Sequence, residues 1–221
     1  MENSLELNQW HYVGASYDDF IGNASLWING TRVKQKNFGD GLTLASDVFD
    51  VKRMVSGINF KGRISAMQVY NYSLTSEDIN ALKYATFGPD CIAHAGPIAI
   101  YPLNSQYTTQ EIDNLQPTGN AKGVSLADGL CDQPDGSYQF HGSNDSYITF
   151  PNNGSLYLQH SITMLCWVYF SNPTSGPFFV YYNKTDIAQF FEWVLVSAPA
   201  NILTDSTFMG ELPPCRFIAT L

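Results

Sequence analysis

The chain has 221 residues, of which 44% are hydrophobic, 14% aromatic and only 14% charged, a composition that supplies a core and lies far from that of a disordered chain. Twenty acidic residues against eleven Lys and Arg give a formal net charge of -9. With no Lys/Arg cluster to offset it, this balance argues against binding to a phosphate backbone or insertion at an anionic membrane surface.

In chain order, the dominant hydrophobic period is two rather than 3.6, which predicts strands. Gln9–Tyr17 reads as a strand with Trp10, Tyr12 and Gly14 on one face and His11, Val13 and Ala15 on the other. Ala24–Val33 contains Asn29-Gly30, a pair suited to a tight hairpin because both central residues of that turn need positive φ. Ile64–Tyr70 is a further strand. Thr75 and Asp78 then form a capping box, and the spacing predicts one short helix over Ser76–Lys83. Gly88-Pro89 and Gly96-Pro97 bracket a linker. Strands resume at Ile98–Leu103, Ser137–His141, Tyr147–Phe150, Ile162–Phe170, Phe178–Tyr182 and Phe190–Val196. Ile162–Tyr169 is apolar on both faces, which places it at the centre of a stacked pair of sheets. The apolar stretch Phe190 to Ala200 is broken by Glu192 and Pro199, so no run is long enough for a membrane helix. Residues 201–221, with Pro213-Pro214, read as a tail.

The four cysteines form no CxxC pair. Cys166 lies in the apolar run ITMLCWVYF and reads as a core residue. Cys91 and Cys131 lie in loop-like surroundings and are candidates for a disulfide. N-x-S/T sequons occur at Asn23, Asn29, Asn71, Asn144, Asn153 and Asn183, and their number points to a secretory route. MENSLELNQW is no signal peptide, so the expectation is an export signal upstream of this segment.

The segments LNQWHYVGASYD, ASLWINGTRV and FKGRISAMQVYNYSLTSEDINAL resemble the C-terminal half of a laminin-G-like or pentraxin-like jelly roll of the concanavalin A-like superfamily. Trp10, His11 and Val13 match its first motif, and Leu26 and Gly30 its second. Gly62, Ile64, Tyr70, Leu74, Thr75, Asp78 and Ile79 match its third. IAIYPLN, GSYQFHGSNDSYITFPN and SITMLCWVYF are similar to the N-terminal half of the same fold. The resemblance implies an all-β antiparallel sandwich. It also implies two halves in swapped order: residues 1–88 as a C-terminal half, 89–200 as an N-terminal half, and 201–221 as the tail. The halves are expected to pack as one permuted sandwich, because neither buries its strands alone.

Within this superfamily, sandwich glycoside hydrolases use an E-x-D-x-x-E strand whose outer carboxylates face each other. Here the run is Glu111-Ile112-Asp113-Asn114-Leu115-Gln116, with an amide in the last position and loop-like neighbours, so no catalytic residue is expected. His11, His94, His141 and His160 are scattered without metal-ligand spacing. Calcium is a candidate at Asp18-Asp19 and Asn144-Asp145, against the plainer reading of turn residues. The loop before FKGRIS that would carry a pentraxin-type calcium site reads MVSGIN, with no carboxylate. No other cofactor is expected. Trp27, Tyr72 and Tyr181-Tyr182 are conceivable sugar-stacking aromatics. The resemblance implies a non-catalytic extracellular module that binds a glycan or an extracellular protein within a larger adhesion or matrix protein. A glycan-processing enzyme and a structural spacer are the alternatives.

Overall fold

The computed structural model describes residues 5–39, 48–51, 60–83, 96–151, 156, 160–172, 177–182, 190–196 and 216–220. In 48–51, 177–182, 190–196 and 216–220 the backbone alone is described. The strands are β1 (Trp10–Asp18), β2 (Asn23–Ile28), β3 (Thr31–Asn37), β4 (Val48–Val51) and β5 (Lys61–Tyr70), followed by helix α1 (Ser76–Lys83). Then come β6 (Ala99–Tyr101), β7 (Asn120–Lys122), β8 (Val124–Ala127), β9 (Ser137–His141), β10 (Tyr147–Pro151), β11 (Ile162–Phe170), β12 (Pro177–Tyr182), β13 (Phe190–Val196) and β14 (Arg216–Thr220).

The strands form two sheets. The larger runs β3-β2-β1-β11-β5-β9-β8, with β6 also paired to β5, and the smaller runs β14-β13-β12-β4-β10-β7. Strands from both chain halves share each sheet. All the pairings are antiparallel except β13 with β14. The sequence predicts a β-sandwich jelly roll with one short helix, and that is the architecture. Residues 201–221, read as a tail, contain β14, which pairs with Glu192–Val196.

β11 holds the larger sheet together. It pairs with β1 along Trp10–Tyr17 and with β5 along Gly62–Tyr70. Met164, Cys166 and Val168 point into the main core with Val13, Ala15, Ile64, Met67 and Phe140, while Leu165 points to the opposite face. Ile148 and Phe150 of β10 carry the smaller sheet into the same core, and Tyr101 stacks on Phe150 with ring centroids 4.2 Å apart. A register shift opposite Leu165 and Trp167 leaves Ala66 at φ 51° in β5. There the other edge of β5 changes partner, from β9 at Lys61–Ile64 to β6 at Met67–Val69.

The outer face of the larger sheet is also partly covered. Tyr12, Trp27, Tyr70 and Leu165 form a second apolar cluster under Leu74 and Ile79, so α1 lies on this face. Its start is the expected capping box: the Asp78 N–H donates to Thr75 Oγ1 at 3.2 Å, and the Thr75 N–H donates to Asp78 Oδ2 at 3.0 Å. The β2–β3 turn docks on it. Asn29 and Gly30 both have positive φ, 51° and 84°, and the Gly30 carbonyl accepts from the Ser76 hydroxyl at 3.0 Å.

Close strand approach makes one glycine testable. A Cβ on Gly62 would lie 2.2 Å from the Tyr169 carbonyl oxygen, backbone that cannot yield locally. Gly62→Ala is expected to cost about 1–3 kcal/mol in denaturant unfolding. Gly96→Ala, where a Cβ meets nothing within 4 Å, is expected to stay within about 0.5 kcal/mol of the parent. Equal stability of the two variants would contradict the β5–β11 packing.

Candidate functional site

Strand alternation dictates what the outer face of β1–β3 carries. Val13, Ala15 and Tyr17 of β1 and Ala24, Leu26 and Ile28 of β2 point into the core. Their neighbours therefore point outward. The register aligns these outward residues in rows. Ser16 pairs with Ser25, which pairs with Gln35, and Asp18 pairs with Asn23. Gly14 pairs with Trp27, which pairs with Arg32. Beside these rows, the segment Ser73–Ser76 leading into α1 and Ile21 of the β1–β2 turn rise as walls. Together they enclose an open pocket of about 430 Å³.

The floor is ordered. The Trp27 indole N–H donates to Ser16 Oγ at 2.9 Å in a buried bond, which fixes the ring against the sheet at 6% exposure. Ser25 is only 4% exposed, and its hydroxyl has no hydrogen-bond partner among the described residues. The Arg32 guanidinium sits 5.8 Å from the Trp27 ring centroid. Asp18 Oδ1 accepts the Phe20 N–H at 3.0 Å, which shapes the turn and leaves its second oxygen uncommitted to that bond. Asn23 Oδ1 accepts from the Asn37 amide at 2.8 Å. Phe20, 91% exposed, stands next to the rim residue Ile21. The pocket thus offers hydroxyls, two amides, one cation and one anion around the largely buried Trp27.

Next to this floor Gln68 ties two tyrosines together. Its Nε2 donates to the Tyr12 hydroxyl at 3.2 Å, and its Oε1 accepts from the Tyr70 hydroxyl at 2.6 Å. Burial pushes both phenols far above their ordinary value of 10.0, and each is raised further by a neighbouring tyrosine, Tyr70 for Tyr12 and Tyr72 for Tyr70. Tyr101 is raised in the same way by burial and by the Glu111 carboxylate.

The other expected site residues are not brought together. Both Glu111 oxygens accept main-chain N–H groups, Oε1 from Ile100 at 3.3 Å and Oε2 from Asp113 at 3.1 Å and Leu115 at 2.9 Å. The carboxylate is buried in a loop and anchors it to β6. Gln116 donates to the Ile98 carbonyl at 3.0 Å. His11 contacts the Glu6 carbonyl and Asn29, His141 contacts Ser125, and His160 contacts Asp19. His94 lies outside the described residues. For calcium, Asp145 pairs with Lys122 at 2.8 Å, a hydrogen bond and charge that hold its carboxyl below the ordinary range. Asp19 pairs with His160 at 3.0 Å. Among the described residues, no group of three or more His, Cys, Asp or Glu is placed to hold a metal ion. The MVSGIN segment lies outside the described residues.

Of the aromatics, Trp27 is on the pocket floor, whereas Tyr72 packs edge-on against Tyr70 at 5.7 Å. The side chains of Tyr181 and Tyr182 lie outside the described residues. Asn29, Asn71 and Asn144 are exposed, Asn23 is half-buried on the pocket wall, and Asn153 and Asn183 lie outside the described residues. Cys166 is buried and Cys131 exposed, and no disulfide occurs among the described residues. Cys91, the expected partner of Cys131, lies outside them. Ser16, Ser25, Arg32 and Gln35 were not singled out from sequence. The available signal was the run of small polar residues at the outward positions flanking Trp27.

Residues 1–80 match the Laminin_G_3 family, described as the concanavalin A-like lectin/glucanases superfamily. The matched segment contains β1–β5 and most of α1, and so carries every pocket residue named above. This part of the chain is similar to laminin-G-like domains, which have a lectin-like fold. Laminin-G-like domains bind glycans or proteins and are usually extracellular and typically non-catalytic, although the superfamily also includes glycosidases. Neither the curated proteins nor the solved structures gave a match. Among the described residues, no helix is long and apolar enough to cross a membrane.

The raised phenols carry a pH prediction. Tyr12, Tyr70 and Tyr101 stay protonated in the folded chain at pH values where the unfolded chain ionises. Their contribution to stability is complete below about pH 10 and is lost as the pH rises beyond it. Denaturant midpoints are expected to fall between pH 9 and 11, with phenolate absorbance at pH 11 below that of the unfolded chain. Full ionisation of all thirteen tyrosines at pH 11 in the folded chain would contradict this burial.

Proposed function

We propose that this chain is a non-catalytic extracellular binding module whose pocket on β1–β3 recognises a glycan. The carrying observation is the buried Ser25 hydroxyl, open to the pocket beside an immobilised indole. A sugar ring presents hydroxyls at its edge and C–H groups on its face. The hydrogen-bonding groups of the pocket are complementary to the hydroxyls. The commitment of Glu111 to main-chain amides supports a binding role over hydrolysis. The adhesion or matrix context rests on the family resemblance. Six sequons, with Asn29, Asn71 and Asn144 exposed, support a secretory route. A Cys91–Cys131 disulfide would suit the same compartment. The placement of β1 beside β11, and of β6 beside β5, supports reading the swapped halves as one permuted module.

A glycan array probed with the unglycosylated chain tests this directly. Arg32→Ala and Gln35→Ala lie on an exposed edge strand and are expected to leave folding intact. Each is expected to reduce the signal of the best glycan about tenfold, as loss of a hydrogen bond to a bound ligand does. A silent array would favour a structural spacer or a protein ligand. Binding indifferent to both variants would place the glycan site elsewhere.

A further inference from the structure

We infer that a second surface, separate from the pocket, docks an acidic segment of a partner protein. It lies on the outer face of the larger sheet, one outward position beyond Trp167, which still packs against the cluster under α1. There a single row of outward residues crosses five strands. The register sets Trp10 of β1 beside Tyr169 of β11, Tyr169 beside Arg63 of β5, Arg63 beside Gln139 of β9, and Gln139 beside Ser125 of β8. At the usual strand spacing the row is roughly 19 Å long, the span of about six residues of an extended peptide.

The aromatic end of the row is locked in place. The Trp10 and Tyr169 rings meet edge-on with centroids 5.6 Å apart. The Arg63 guanidinium carbon lies 3.9 Å from the Tyr169 centroid and 5.5 Å from that of Trp10, and Arg63 Nη1 donates to the Asp128 carbonyl at 2.8 Å. All three side chains are half-buried, so a partner would order little on binding. Trp, Tyr and Arg are the residue types that carry most of the binding energy at protein interfaces, and here they are packed as one unit. Among the described residues no carboxylate pairs with Arg63. A guanidinium stacked on a ring keeps its fork of donors open at the edge, where a carboxylate is its natural complement.

Charge complementarity names the occupant. The chain holds twenty Asp and Glu, yet β5, β8, β9 and β11 contain none. Lys61, exposed and two residues before Arg63, points to the same face and pairs in register with the exposed His141. The row is therefore a basic island on an acidic molecule, and it attracts an anionic segment through solvent. The hydrogen-bonding end suits a peptide backbone. Gln139 spends its amide N–H groups on the carbonyls of Gly62 at 3.0 Å and Phe140 at 2.7 Å, which leaves its side-chain oxygen to accept a backbone N–H. The arrangement fits an extended segment with Asp or Glu over Arg63 and Lys61 and an apolar or aromatic side chain against Trp10.

The test is selection of phage-displayed random linear peptides on the whole unglycosylated chain. The selected peptides are expected to be richer in Asp and Glu than the unselected library. A synthetic copy of the strongest is expected to shift the Trp10 indole N–H resonance and to bind Arg63→Gln about tenfold more weakly than the parent, with affinity falling as salt rises. Lys61→Gln, at an exposed position, is expected to weaken it in the same direction and by less. Lys34→Gln removes a cation from the β3 edge of the sheet and is expected to leave the affinity unchanged, which separates contact from net charge. Selection without acid enrichment, or peptides that bind Arg63→Gln as tightly as the parent, would overturn the inference. A purely structural Arg63 would give that second result together with a lower denaturant midpoint. A concentration-dependent dimer abolished by Arg63→Gln would also overturn it, because the occupant would then be a second copy of the chain. So would a Trp10 shift produced by a sulfated oligosaccharide and by none of the selected peptides. None of these outcomes depends on the glycan array, so the two readings stand or fall separately.

Discussion

The structure depends on the two-sided pairing of β11. Its backbone hydrogen-bonds to β1 on one side and to β5 on the other. Its side chains are apolar on both faces, with Met164, Cys166 and Val168 in the main core and Leu165 under α1. The partners lie far away in sequence, with β1 and β5 in the first half of the chain and β11 in the second. Removing the first half would leave β11 with both edges unpaired, and removing the second would leave β1 and β5 each with an unpaired edge, which favours aggregation over a stable fragment.

The pocket inherits its geometry from this pairing. Because β1 commits Val13, Ala15 and Tyr17 to the core, Ser16 and Asp18 are fixed on the opposite face. The β1–β2 register then sets Ser25 beside Ser16, and Trp27 beside Gly14. Gly14 matters here because a Cβ would lie 2.5 Å from Leu165 Cδ2. The helix side of the pocket is held by a separate set of contacts. The turn at Asn29-Gly30 meets Ser76, and the Leu74 N–H donates to Thr163 Oγ1 of β11 at 3.0 Å. Floor and wall are therefore tied to the same central strand.

Much of the fold was legible in the sequence because alternation was strong there. Ser137–His141, Ile162–Phe170, Phe190–Val196 and the helix Ser76–Lys83 have the bounds their patterns predict. The central place of β11 followed from its two apolar faces. Four short strands were not legible: Val48–Val51, Asn120–Lys122, Val124–Ala127 and Arg216–Thr220. Asn-Ala-Lys has almost no strand preference of its own, and β7 exists because β10 offers it a partner edge. The pocket was harder still. Ser16, Ser25, Arg32 and Gln35 come from three strands, and only the register makes them neighbours. A single strand's pattern shows which residues point outward, but not which outward residues of other strands stand beside them. Glu111, for which no catalytic role was expected from sequence, has a structural role that its sequence pattern did not show. It sits in a hydrolase-like run, yet it serves as an anchor for backbone amides.

Native-state hydrogen exchange tests the central claim most directly, since it reports the opening free energy of individual strands. If β11 joins both halves into one cooperative sheet, the slowest amides of β1, β5 and β11 will exchange with the same opening free energy and the same denaturant dependence. If the amides of β11 and β9 remain protected under conditions where those of β1 and β5 have already exchanged, the halves open independently and the account is wrong.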